Sequence, residues 1–206
     1  MNETKAALVT HERRPEVADL PVTRRTLAKG AAWTTPVLLV GAVTPPASAS
    51  VQPGLQGWVT VGKSCDSNTM TLTIDGTGSY PDRGLWVYGP STQNIANAFI
   101  TFYYPSTLAI TWAANPTNAS WSVPAIDNTA PAISGFTAYT TKYSGAWTYH
   151  PTGADGPYST ANGQPNFTGT AQNAGVLCRN GVNVYARRTV TVNGTQVTFL
   201  RGPVQI

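Results

Sequence analysis

Charge is the property that this sequence has least of. Charged residues make up 11% of its 206 residues, whereas about a quarter of a typical globular domain is charged. A coiled coil and a highly charged disordered chain are therefore excluded. Two cysteines are too few for a disulfide-dense miniprotein, and glycine recurs without the period of collagen. The abundant residues, which are threonine, serine, asparagine, glycine and aromatics, are typical of an all-β protein.

Groups for acid–base chemistry are also scarce. No glutamate follows Glu16, and after residue 49 the chain has five aspartates and one histidine, His150. Hydrolysis of a glycoside usually needs two carboxylates that face each other across a cleft. Asp75 and Asp82 bracket one glycine-rich loop, and three interpretations stay open for it: such a carboxylate pair, a calcium site, or an ordinary turn.

A nucleophilic mechanism would depend on His150, with Asp155 as the residue that orients it. The chain has no Gly-x-Ser-x-Gly elbow, so no nucleophile is identified and no catalytic residue is assigned. We therefore expect a protein that is not an enzyme and that has no cofactor and no metal. The alternative is a secreted hydrolase of cell-wall or extracellular polysaccharide that uses Asp82, Asp127 or His150.

The beginning of the chain has the features of an export signal. Arg24 and Arg25 are adjacent, and they precede a weakly apolar run at residues 31–43. Small residues follow this run and end in an Ala-x-Ala pattern at Ala47 and Ala49. The segment resembles a twin-arginine export signal with its cleavage site.

That resemblance implies cleavage after Ala49, which leaves a signal peptide at residues 1–49 and an exported domain at residues 50–206. A retained signal that tethers the protein is the alternative. The apolar run has 13 residues, whereas a transmembrane helix needs about 20. We therefore expect no membrane span after cleavage.

The signal also resembles those of secreted proteins of high-GC Gram-positive bacteria, many of them without an assigned function. The resemblance implies a secreted, extracellular or cell-surface location and nothing about activity. Residues 1–49 hold six of the 13 basic residues and four of the nine acidic residues, and thus half of the net charge of +4. The remaining charge is too small to predict a nucleic-acid partner.

Strand patterns recur along residues 50–206. Apolar and polar residues alternate strictly at residues 69–74, 100–104 and 108–112. Softer strand patterns lie at residues 57–63, 85–89, 134–142, 146–149, 174–179 and 182–192. No helical periodicity of any length is found in this part of the chain.

The strongest local signal is an Asn-Gly pair at residues 193–194, flanked by strand-forming residues. A two-residue turn there pairs Val190 with Val197. In that register Arg188 falls on the apolar face, opposite Phe199. We expect the strand to leave the core at this arginine, and the alternative is a bulge that resets the alternation.

About nine short antiparallel strands predict a β-sandwich of immunoglobulin-like type, with a jelly roll as the alternative. Cys65 and Cys178 are expected to form a single disulfide once the protein is outside the cell, while buried thiols and metal ligands are the other interpretations. Trp86 and Trp112 are candidate core residues.

Aromatic and imidazole side chains in loop-like settings are the candidate binding residues: Trp121, His150, Tyr158 and Phe167. Residues 150–175 form the longest stretch without a strand pattern, and such loops are usually functional or disordered. Exposed rings can stack on sugars, or they can simply cover the ends of the core. We expect a binding module for a cell-wall glycan or another surface protein. A structural envelope subunit is a further alternative.

Overall fold

The computed structural model describes residues 54–206, and antiparallel strands make up most of its regular structure. The elements in chain order are β1 (Leu55–Trp58), β2 (Thr60–Asp66), β3 (Thr69–Asp75), β4 (Gly84–Tyr88), β5 (Ile95–Pro105), β6 (Ile110–Ala114), β7 (Ala125–Ile126), β8 (Phe136–Lys142), β9 (Trp147–His150), β10 (Tyr158–Ala161), β11 (Asn166–Ala171), α1 (Gly175–Asn180), β12 (Asn183–Val192) and β13 (Thr195–Gln205).

These strands form three sheets. Sheet 1 has the order β1-β4-β10-β9, sheet 2 the order β2-β3-β11-β6, and sheet 3 the order β13-β12-β5-β8-β7. Neighbouring strands within each sheet are antiparallel. The prediction of an all-β, antiparallel sandwich is therefore confirmed.

One face of each sheet turns into a shared hydrophobic core. Alternate residues of β3, which are Met70, Leu72 and Ile74, are fully buried, as the alternation predicted. Phe102 of β5 and Phe167 of β11 are buried in the same cluster. Complete burial of one large apolar side chain contributes about 1.5–3 kcal/mol. This shared burial holds the three sheets against one another.

The hairpin of β12 and β13 has the predicted register, with Val190 opposite Val197. Arg188 stays in that register opposite Phe199, and its side chain is only 5% exposed. The expectation that the strand leaves the core at Arg188 is wrong. On its other side β12 pairs with β5, where Ile100 lies opposite Arg188 and keeps this part of β12 inside the sheet.

A single disulfide links Cys65, at the end of β2, to Cys178, as predicted. Cys178 lies in α1, so the strand predicted at residues 174–179 is wrong, as is the expectation of no helix. The Gly175 amide donates a hydrogen bond to Oδ1 of Asn68 at 3.0 Å, and the Cys178 amide donates to the Ala174 carbonyl. The first of these hydrogen bonds is made with a residue far away in sequence and the second is the bond of a helical turn, and together they favour a helical turn over a strand.

The segment at residues 150–175 is not one long loop, because it contains β10 and β11. β10 lies between β4 and β9 in sheet 1, and β11 lies between β3 and β6 in sheet 2. Both strands are short, with serine and threonine in β10 and with asparagine, threonine and glycine in β11, so their composition resembled that of a loop. Their central positions in the sheets override that local composition.

The predicted signal at residues 1–49, with Arg24, Arg25, Ala47 and Ala49, lies outside the described residues. Among residues 54–206, none of the helical structure has the length and apolarity that crossing a bilayer demands. The described residues belong to one compact unit.

Loss of the disulfide is expected to weaken the fold without abolishing it. Replacing both cysteines (Cys65→Ser with Cys178→Ser) removes a link between residues 113 positions apart. The chain-entropy estimate for a loop of that size is about 4.7 kcal/mol, so urea unfolding should show a lower, still cooperative transition. The reduced wild-type chain is the control and should match the variant. A variant without a cooperative transition would show that the core does not stand alone.

Candidate binding pocket on the outer face of sheet 1

The outer face of sheet 1, the face turned away from the core, carries a row of aromatic side chains. Cross-strand pairing places Tyr158 of β10 opposite Tyr88 of β4 and opposite His150 of β9. Two residues further along the same strands, Trp86 of β4 lies opposite Thr160 of β10. Because successive residues of a strand point to opposite faces, all five side chains share this face.

Three rings on this face form a ring stack, which consists of Tyr80, Tyr158 and His150. The rings of Tyr80 and Tyr158 are nearly parallel, with centroids 3.9 Å apart and an interplanar angle of 22°. His150 stacks on Tyr158 at 4.7 Å and 15°. Trp86 meets Tyr80 edge-on at 5.0 Å. Offset and edge-to-face ring pairs contribute about 0.5–1.5 kcal/mol beyond their burial, so these rings are fixed by one another.

Tyr80 reaches the sheet from the loop between β3 and β4, and hydrogen bonds within the loop and to β2 hold the loop in place. Oδ1 of Asp75 accepts hydrogen bonds from the Thr77 amide at 2.8 Å and from the Thr77 hydroxyl. The Arg83 side chain donates to the Thr60 hydroxyl at 3.0 Å. Gly78 has a φ of +140°, and a Cβ there would lie 2.0 Å from Cβ of Arg83. The loop therefore requires glycine at this position.

A pocket of about 220 Å³ opens beside the ring stack. Its polar groups come from four kinds of side chain: the guanidinium of Arg83, the imidazole of His150, hydroxyls such as that of Thr160, and the amide of Gln164. The pocket is lined by Gly78, Ser79, Tyr80, Arg83, Gly84, Leu85, His150, Tyr158, Thr160, Ala161 and Gln164. No carboxylate is among these described lining residues.

The hydrogen bonds of these groups are only partly used within the described residues. Nε2 of His150 lies 3.0 Å from the hydroxyl of Thr160. The Gln164 amide nitrogen donates to the Ala161 carbonyl at 3.0 Å, while its oxygen Oε1 is buried and has no partner in the part of the chain that the structure describes. Buried polar atoms are normally paired.

The phenols of Tyr88 and Tyr158 have raised pKa values. Burial raises the pKa of Tyr88, and the nearby Tyr80 hydroxyl and Asp155 carboxylate raise it further. Burial, and then the proximity of Tyr80, also raises the pKa of Tyr158. The Tyr88 hydroxyl donates to Oδ2 of Asp155 at 3.1 Å. Tyr88 and Tyr158 therefore present neutral hydroxyl groups at physiological pH.

The structure brings together two of the four predicted binding residues, because His150 and Tyr158 lie side by side at the pocket. Trp121 is 4% exposed and its indole nitrogen donates to the Gly163 carbonyl at 2.8 Å. Phe167 is completely buried in β11. Neither ring is accessible to a ligand, so the expectation that they lie in exposed loops is wrong: both fill the interior.

Tyr80, Arg83 and Gln164 complete the pocket but were not among the predicted binding residues. Tyr80 and Arg83 lie about 80 positions from Tyr158, so only the pairing of β4 with β10 brings them together. Gln164 follows β10, inside the segment whose strands the sequence did not reveal. The sequence feature that could have indicated Tyr80 as a binding residue is its position before a proline in a glycine-rich loop.

The candidate catalytic groups do not converge. His150 contacts Thr160, and its suggested partner Asp155 accepts from Tyr88 instead. Asp75 accepts hydrogen bonds from Thr77 in the loop between β3 and β4. Asp127 accepts hydrogen bonds from Thr129 and Thr140. Among residues 54–206, no group of three or more histidine, cysteine or acidic side chains is placed to hold a metal ion.

Comparisons with known proteins add little to this geometry. No family model matches the chain. No curated protein sequence matches it either. A similarity exists to the crystal structure of the GAE domain of GGA2p from Saccharomyces cerevisiae, at 14% identity and a TM-score of 0.30, covering 76% of this chain and 96% of that one. A similarity this low indicates neither a fold family nor a function.

Asp127 has a structural role that pH can test. Hydrogen bonds from Thr129, and next from Thr140, lower its pKa in the folded protein. The stability that these bonds provide is therefore present above the unfolded pKa of about 3.9 and is lost as the pH falls through the lower folded value. We expect Asp127→Asn to lower the free energy of unfolding by about 1 kcal/mol at pH 6, and the difference from wild type to shrink below pH 4.

Urea unfolding at a series of pH values measures this difference. Asp82→Asn is the matched control, because Asp82 is exposed and makes no side-chain hydrogen bond within the described residues. Identical pH profiles for the two variants would contradict the structural role of Asp127.

Proposed function

We propose that this protein is an exported, non-enzymatic domain that binds one sugar unit of a cell-wall or extracellular glycan in the pocket on sheet 1. One observation carries the proposal. The fixed ring stack of Tyr80, Tyr158 and His150 forms one side of a pocket whose other groups are hydroxyl, amide and guanidinium donors and acceptors.

The chemistry of this pocket suits a neutral, hydroxyl-rich ligand. Aromatic rings offer an apolar surface to the C–H groups of a sugar ring, while Tyr and His also provide polar edges. Because the rings already pack on one another, little side-chain freedom is lost when a ligand binds. Thr160 and Gln164 line the pocket, and a hydroxyl and an amide can both donate and accept hydrogen bonds with sugar hydroxyls.

The size and charge of the pocket support binding rather than hydrolysis. Its volume of about 220 Å³ lies below the roughly 300–1,000 Å³ of typical small-molecule sites, which suits a single ring of a longer chain. A glycosidase mechanism needs two carboxylates on opposite sides of the bond. No aspartate lines this pocket among the described residues, so the hydrolase alternative has no support here.

Export is part of the same proposal. The pattern of Arg24 and Arg25, followed by the Ala-x-Ala site, resembles a twin-arginine signal of secreted proteins of high-GC Gram-positive bacteria. The disulfide of Cys65 and Cys178 fits an oxidising compartment outside the cytosol. We propose that the signal is cleaved after Ala49.

The envelope-subunit alternative rests on the outer edge of β13, which pairs only with β12 among the described strands. Its second half carries three features that protect edge strands from pairing with another chain: Arg201, Pro203 and an irregular register opposite residues 184–186. Edge pairing into an assembly is therefore the less favoured proposal.

The ring stack provides the test of glycan binding. Tyr80→Ala removes the outer ring of the stack, and we expect at least a tenfold loss of affinity, since a ring contact contributes about 1.4 kcal/mol. Binding isotherms on insoluble bacterial cell-wall glycan, with thermal unfolding to verify the fold, measure this loss. Tyr149→Ala is the matched control, because Tyr149 is exposed and lies on the opposite face of β9. Equal affinity of the Tyr80 variant and wild type would contradict the proposal.

The arginine pair provides the test of export. Arg24→Lys with Arg25→Lys keeps the charge but removes the twin-arginine pattern, so the protein should accumulate inside the producing cell. Immunoblots of cell and medium fractions measure the distribution. Arg13→Lys with Arg14→Lys is the control, since this second adjacent pair lies outside the pattern. Unchanged secretion of the Arg24 and Arg25 variant would rule out the twin-arginine route.

A further inference from the structure

Arg188 is a charged residue on the core face of sheet 3. It lies between Ile100 of β5 and Phe199 of β13, its two cross-strand neighbours. Only 5% of its surface is exposed. Val190 lies two residues along the same strand, on the same face, and is completely buried. An arginine in this setting has lost most of the contact with water that it has in an unfolded chain.

The described part of the protein provides no counter-charge for it. Arg188 forms no hydrogen bond and no ion pair with any side chain or carbonyl within residues 54–206. The aspartates are engaged elsewhere: Asp66 with Ser67, Asp75 with Thr77, Asp127 with Thr129 and Asp155 with Tyr88, and Asp82 is exposed. Residues 50–53 contain no acidic side chain. Among residues 54–206, no carboxylate side chain is therefore bonded to this arginine.

A second arginine, Arg201, adds another positive charge near Arg188. Arg201 of β13 pairs with Ala186, one step along the same face from the pair of Arg188 and Phe199. Its guanidinium lies 4.7 Å from the ring centroid of Trp58. Burial, and then the charge of Arg201, lowers the pKa of Arg188 to about 10. Both groups therefore carry a positive charge at physiological pH.

A buried cation beside a half-buried one, without an anion, is unfavourable, because desolvation and mutual repulsion act in the same direction. An anion that contacts both guanidinium groups replaces their lost hydration and offsets their mutual repulsion. Guanidinium binds oxyanions through two parallel N–H···O hydrogen bonds. A phosphate group has several acceptor oxygens and can accept two parallel hydrogen bonds from each of two such groups, whereas a chloride ion is a single acceptor atom.

We propose that Arg188 and Arg201 bind a phosphate group between β1 and the β12–β13 hairpin, with the ring of Trp58 holding Arg201 in place. The site is separate from the glycan pocket, because Trp58, Arg188 and Arg201 are not among the residues that line that pocket. A free phosphate ion and a phosphodiester of an extracellular polymer share this chemistry. The site is independent of the proposed glycan binding, and neither depends on the other.

Thermal unfolding of the full chain tests the site at constant ionic strength in chloride, in inorganic phosphate and in dimethyl phosphate. For wild type we expect the midpoint to rise saturably with inorganic phosphate, by about 5 °C at saturation. Arg188→Met should remove this saturable rise, and in chloride it should unfold at or above the wild-type temperature. Arg179→Gln is the matched control, because Arg179 is an exposed arginine in α1; it should respond as wild type does.

A second variant keeps the test decisive if Arg188→Met does not fold. Arg201→Gln retains the buried arginine and should weaken the phosphate response at least tenfold in concentration. A response of wild type to dimethyl phosphate as well as phosphate supports a polymer phosphodiester, and a response to phosphate alone supports the free ion. An equal rise in wild type, Arg188→Met and Arg201→Gln is the general effect of an excluded salt and would overturn the proposal.

Discussion

The burial of one face of each sheet in a common core is the constraint on which the rest of this structure depends. Short strands with few charges and many threonines have little to hold them together except this burial. Met70, Leu72, Ile74, Phe102 and Phe167 fill the space between the sheets. Because apolar side chains occupy the inner faces, polar groups that could bind a ligand lie on the outer faces of the sheets. Arg188 is the exception, since it is a charged residue on an inner face.

The two proposed sites follow from this division. Sheet 1 places Tyr158 and His150 side by side on its outer face, and the loop that carries Tyr80 adds the third ring and closes one side of a pocket. Sheet 3 contains the exception, because Arg188 occupies a position that the alternation assigns to an apolar residue. A buried charge that weakens the core calls for a physical reason. An anion shared with Arg201 is such a reason.

Much of the fold could be predicted because its signals are local. Strict alternation located β3, and the Asn-Gly turn fixed the register of β12 and β13. β10, β11 and α1 could not be predicted, because their structure depends on neighbours far away in sequence rather than on their own composition. The same limit applies to the pocket. His150 and Tyr158 could be named as candidates, whereas Arg83 and Gln164 join them only through strand pairing, and the burial of Trp121 depends on a contact with Gly163.

The central claim is that the outer face of sheet 1 binds a sugar, and nuclear magnetic resonance of the isotope-labelled chain measures this most directly. Soluble saccharide fragments of bacterial cell wall would be titrated into the protein while backbone amide shifts are followed. The account predicts saturable shifts that cluster at His150, Tyr158, Thr160 and Gln164. Shifts confined to other surfaces, or the absence of any saturable shift, would contradict it.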